Sequence, residues 1–164
     1  MATWQTKLRK LVEIFDQLPP KISDAFLVEP TAGKQWPQQL PFCPALLEFY
    51  AICDGGVFSY YTLHGLDDLQ MFDEDEAEAG RYLAIGDTTF GHTLVWDSRE
   101  DKVGYYDFDG ADGFVFSSET GAREMGLTMD GFLSGVFTLP THPNRRDPVE
   151  TMWIQILDRL VVAV

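Results

Sequence analysis

The chain has 164 residues, enough to bury one sizeable core, and its 45% hydrophobic and 13% aromatic content excludes a disordered polymer. A formal net charge of -14 repels phosphate backbones, so nucleic acid is excluded as a partner and a basic protein is favoured. The acidity is uneven: residues 1–50 hold five acids and five bases, whereas residues 67–112 hold fourteen acids against three bases.

Trp4, Leu8, Leu11, Val12, Phe15 and Leu18 recur at helical spacing, which predicts a helix over about 3–18 with Thr3 as its cap and Pro19-Pro20 as its stop. A proline-rich connection comes next, with a short apolar piece at 25–28. Pro44 then opens PALLEFYAIC as a first-turn proline, and Gly55-Gly56 supply the terminating residues of that helix. Beyond Gly56 the period changes to that of strands. VFSYYTL, RYLAIG, HTLVWD, VGYYDFD and GFVFS are short, β-branched or aromatic, and separated by Gly, Asp or Ser. The insertion DDLQMFDEDEAEAG between the first two reads as a loop or a short surface helix. Helices return at LTMDGFLSGVF, capped by Thr128, and at about 148–162, where Asp147 is the cap and Met152, Trp153, Ile156, Leu157 and Leu160 form one face. The expectation is one α+β domain over 1–164. Its sheet has about five to six strands, antiparallel with a mixed arrangement as the alternative, packed with N-terminal and C-terminal helices.

Gly86, four residues, Gly91 and His92-Thr93 fit a phosphate-loop pattern except at its lysine. The next residues, TLVWD, are strand-like where a phosphate loop needs a helix, so the stretch is expected to be a hairpin with Gly86 and Gly91 framing its turn. The run Asp73, Glu74, Asp75, Glu76 with Glu78 lacks the alternation and turn glycine of a calcium loop. The nearer approach at Asp107, Asp109 and Asp112 has Ala111 at its fifth position and Ser118 at its twelfth. His64, His92 and His142 have no metal-ligand spacing, and there is no G-x-S-x-G elbow. Cys43 and Cys53 lie in apolar surroundings ten residues apart, which predicts buried, reduced thiols in a cytoplasmic protein and no zinc site. No cofactor, metal or catalytic set is therefore expected. The remaining enzyme reading, a hydrolase, needs Asp97, Asp107 and His92 to converge. Glu13 and Asp16 interrupt any signal-peptide core, and no apolar run is long enough to span a bilayer. The apolar LVVAV end leaves monomer and homodimer both open.

Leu40-Pro41, Leu46, Phe49 and Asp54-Gly55-Gly56 resemble the opening of the SUKH superfamily, which includes the fungal cell-wall-assembly regulator and many bacterial toxin-immunity proteins. YLAIGDTTFGHTLVWD, with Gly86, Gly91 and Val95-Trp96-Asp97, is similar to the central hairpin of that family, and LTMDGFLSGV, with Phe132 and Leu133, to its late helix. The resemblance covers residues 40–136. Asp54 stands where the family usually has Asn, and the acidic insertion is long. The resemblance implies structural roles for Gly55, Gly56, Gly86, Gly91, Trp96 and Phe132, no catalytic residue, and an immunity protein that neutralises a toxin domain, a basic nuclease suiting its charge. A regulatory or scaffold module without a toxin partner is the alternative. The partner-binding candidates are Asp67, Asp68, Asp73, Glu74, Asp75, Glu76, Glu78, Asp87, Asp97, Glu100 and Asp101, provided the acidity collects on one face.

Overall fold

A computed structural model describes residues 3–31, 33–72, 79–107, 113–116, 119–120, 123–140 and 143–161. Helix α1 (Trp4–Ile14) starts where Thr3 Oγ1 accepts the amide of Thr6, and it buries Trp4, Leu8 and Leu11 at helical spacing before a 3-10 turn, Phe15–Gln17, and Pro19 end it. Pro20 then opens a four-residue helix, α2 (Pro20–Ser23). Strand β1 (Leu27–Pro30) precedes α3 (Pro44–Ile52), which passes straight into β2 (Cys53–Phe58) and β3 (Tyr61–Leu63). A 3-10 turn, Leu66–Asp68, leads to β4 (Gln70–Met71), β5 (Tyr82–Thr88), β6 (Thr93–Asp97), β7 (Lys102–Tyr106) and β8 (Phe114–Val115). The chain closes with β9 (Glu119–Thr120), β10 (Arg123–Glu124), α4 (Met129–Val136) and α5 (Pro148–Val161).

All observed strand pairs are antiparallel. The main sheet runs β1-β2-β3-β5-β6-β7-β8, with β4 also on β5, and β9 and β10 form a separate pair. The fold is α+β, and the expected five to six strands undercount its eight-stranded sheet. The additional strands are two to four residues long and lie in proline-bearing or polar segments, too short for alternation to show. VFSYYTL is two strands, because Ser59 takes φ 57° in the turn and no glycine marks the reversal. Among the described residues no helix is long and apolar enough to cross a membrane.

Alternation sorts the sheet residues onto two faces. Leu83, Trp96 and Val103 lie in register, and with Ile85 and Leu94 they join the buried residues of all five helices in one core. Trp153 is its hub: wholly buried, it packs on Phe26, Phe58 and Phe137 and donates its indole N–H to the Val136 carbonyl at 2.7 Å. The opposite face carries Tyr82, Ala84, Val95 and Gly104. There Tyr82, Tyr106, Phe72, Phe114 and Phe116 form a second aromatic cluster, with the Phe116 ring lying over Gly104, where a Cβ would stand.

The glycines expected to end α3 and to frame the hairpin turn serve mostly a different purpose. Helix α3 ends at Ile52, and Gly55 and Gly56 lie inside β2; a Cβ on Gly56 would strike the Leu27 carbonyl of β1, and one on Gly55 would sit 2.5 Å from the Leu63 carbonyl of β3. Gly86 lies inside β5 at a bulge between Ala84 and Gly86, and a Cβ there would strike the Thr62 carbonyl. Only Gly91, at φ 86°, occupies the hairpin turn.

Gly86→Ala should therefore force β3 from β5 and lower stability by at least about 2 kcal/mol in urea unfolding, whereas Gly135→Ala, in α4 with nothing within 4 Å of its Cβ position, should raise it by about 0.5–1 kcal/mol. A wild-type midpoint for Gly86→Ala would contradict this account of β5.

Candidate binding surface

Among the described residues, the acidic candidates lie at different ends of the sheet. Asp67 and Asp54 share Lys34, at 2.7 and 3.4 Å, and the Asp67 carboxylate raises the lysine pKa. Asp54 also accepts the Leu66 amide at 2.8 Å, which fixes the turn bearing Asp67 and the exposed Asp68. Asp87, 55% exposed at its side chain, lies 2.9 Å from His64 Nε2. Glu100 and Asp101 occupy the β6–β7 turn, level with Tyr82 at the other end of β5, about 16 Å from Asp87 at 3.3 Å per residue. Asp73, Glu74, Asp75, Glu76 and Glu78 lie outside the described residues.

Asp97 is corrected from a contact candidate to a structural residue. It is 2% exposed and held by Arg81 through Nε at 3.0 Å and Nη2 at 2.8 Å, with Arg81 also over the Tyr82 ring. Burial pushes its carboxyl pKa up, but the Arg81 fork and the amides of Arg99 and Glu100 outweigh that and leave it below the usual range. Nor do Asp97, Asp107 and His92 converge: His92 Nδ1 is 3.7 Å from Asp107, and Asp97 is at the far end of β6. Among the described residues no group of three His, Cys, Asp or Glu is arranged to hold a metal ion.

What the fold does assemble is a cleft of about 330 Å³ between the β6–β7 turn and the starts of α3 and α4, lined by Phe42, Cys43, Trp96, Asp101, Met129 and Asp130 among others. Asp101 takes φ 52°, a conformation Asp tolerates better than most residues, and its Oδ1 accepts both the Trp96 indole N–H at 2.8 Å and the Met129 amide at 3.2 Å. Asp130 Oδ1 accepts the Trp4 indole N–H at 2.8 Å, while Thr128 caps the same helix through Gly131 at 3.0 Å. Each carboxylate is thus aimed by a tryptophan through one oxygen, and the other takes no hydrogen bond from a described residue. Phe42, 61% exposed, supplies an aromatic face at the rim. Cys43 is buried and its thiol is pushed up to about 11 by that burial, so it contributes an apolar wall; burial likewise pushes Cys53 up to about 12. Such a cleft suits a guanidinium or ammonium group, which can reach open carboxylate oxygens and an aromatic face together.

Of the sequence candidates, Asp101 lines this cleft, while Glu100, its neighbour in the turn, lies against Arg81 and Lys102. Asp130 and Phe42 escaped notice: an acid in a first helical turn reads as a partner of the helix dipole, and nothing local announces Trp4, 126 residues away. Trp96 and Phe132 both lie in the core, Phe132 against Tyr61. No family model, no curated protein and no solved structure matches the chain.

Arg81→Met should leave Asp97 buried without its counter-charge and cost about 3 kcal/mol near neutral pH, read from urea midpoints. Because the folded carboxyl lies below its ordinary value of 3.8, its stabilisation is present above that value and lost as pH falls through the lower folded one. The gap between wild type and variant should accordingly narrow in acid; a gap constant with pH would contradict the pairing.

Proposed function

We propose that this chain is a non-catalytic protein-binding domain of the SUKH type, an immunity protein that binds and neutralises a basic toxin domain in the cytoplasm. The observation that carries the reading is the cleft in which Asp101 and Asp130 are each aimed by an indole N–H and keep one oxygen open beside the exposed Phe42 ring. An inhibitor gains from such preorganisation, because the groups that meet a lysine or arginine of the partner lose little freedom on binding. The net charge of -14 accelerates encounter with a cationic nuclease, whose own basic surface serves nucleic acid, and rejects acidic proteins. The likeness of residues 40–136 to the superfamily supports the same reading.

Asp101→Asn and Asp130→Asn keep the Oδ1 acceptors that hold Trp96 and Trp4 while removing the charges. The double variant should unfold at the wild-type temperature yet bind a basic toxin domain encoded beside this chain at least about tenfold more weakly, and it should fail to restore growth on co-expression. Undiminished affinity with both charges removed would exclude the cleft as the contact.

A further inference from the structure

A second cavity of about 330 Å³ has the opposite character. It lies between α2 and the first turns of α5, and it is lined by Lys21, Arg145 and Arg146, three of the chain's twelve lysines and arginines, with no acidic residue on its walls. No described side chain pairs with any of the three, although acids outnumber bases by 26 to 12 in the whole chain. Three like charges at one cavity repel one another, and an anion placed among them relieves that cost.

The loop that carries the arginines is fixed from several sides. Asn144 donates its amide to Glu150 Oε2 at 3.0 Å, and Glu150 is only 3% exposed. The Arg146 amide donates to Asn144 Oδ1 at 3.2 Å, and Thr151 Oγ1 donates to the carbonyls of Arg145 at 3.2 Å and Asp147 at 2.8 Å. The nearby acid Asp147 is committed elsewhere: its Oδ1 caps α5 through the amides of Val149 and Glu150, and its Oδ2 accepts the Tyr60 hydroxyl. Hence the backbone beneath Arg145 and Arg146 is held while their guanidinium groups are left open, beside a floor of buried Ile22 and half-buried Met152.

We propose that this cavity binds a small organic phosphate, with Arg145, Arg146 and Lys21 on the phosphoryl oxygens and its carbon body against Ile22 and Met152. A phosphomonoester brings close to two negative charges to three cations, where a monocarboxylate brings one, and adjacent guanidinium forks suit phosphoryl oxygens. The site is independent of the acidic cleft and of any toxin partner.

Isothermal titration of the full chain with phenyl phosphate, benzoate and inorganic phosphate tests this. Phenyl phosphate should bind with a Kd of about 1 mM or tighter, and benzoate and inorganic phosphate each at least about tenfold more weakly. Arg145→Ala with Arg146→Ala should abolish binding with an unchanged unfolding temperature. Lys21→Met alone, remote in sequence from the α5 loop, should weaken it severalfold and serves as the readout if the double variant does not fold. No heat of binding at about 10 mM phenyl phosphate, equal affinity for benzoate, or equal affinity in the variants would each overturn the proposal. So would binding of a phosphorylated peptide by a chain that ignores phenyl phosphate.

Discussion

The architecture turns on the close approach of β3 to β5 at Gly86. Strand β5 pairs with β3, β4 and β6, and the extra residue at its bulge resets the alternation, so that Leu83 and Ile85 stay in the core while Asp87 points outward. That geometry requires the Thr62 carbonyl to occupy the space of a Gly86 side chain. The rest of the hairpin depends on it. Beyond Thr88 the chain lies back on the β2–β3 turn, where the Thr89 amide donates to the Tyr60 carbonyl and Phe90 stacks on the Tyr60 ring. The Tyr60 hydroxyl in turn reaches the Asp147 cap of α5, which links the β2–β3 turn to the last helix.

Charge is organised at the same level. In a chain this acidic, the buried or half-buried carboxylates each serve the fold. Asp97 holds Arg81, Asp54 holds a turn and Lys34, and Asp147 starts a helix. Asp101 and Asp130 are exposed at a cleft, and the fold uses only one oxygen of each, which leaves charge available there. The arginines of the α5 loop show the converse, with a fixed backbone and uncommitted side chains. Residues half used by the fold are the ones that leave charge within reach of another molecule.

Helical periodicity and caps were legible in the sequence because they are local. Thr3, Thr128 and Asp147 cap where their spacing places them, Pro44 and Pro148 open their helices, and the stretch from Ile85 to Trp96 is a hairpin because TLVWD alternates. The short strands β1, β4, β9 and β10 were not legible, since two to four residues give alternation no room. The glycines were recognised as structural but assigned to turns, because a clash with a carbonyl of another strand leaves no trace beside Gly56 or Gly86 in the chain. The site suffered most from this limit. Clustering of acids in sequence left open whether they share a face; of the described ones, β5 carries Asp87 to one end of the sheet and the β6–β7 turn carries Glu100 and Asp101 to the other. The tryptophans that aim the two cleft carboxylates lie five and 126 residues away.

On the proposed function, the cleft at Asp101 and Asp130 is where a cationic partner docks. Amide hydrogen exchange of the chain, free and mixed with the basic toxin domain proposed as its partner, decides whether the cleft at Asp101 and Asp130 is the docking site. New protection is expected at residues 98–101, at 42–47 and at the start of α4, with the Lys34–Asp67 region unchanged. Protection confined to the Lys34, His64 and Asp87 end of the sheet, with the cleft exchanging as in the free chain, would contradict it.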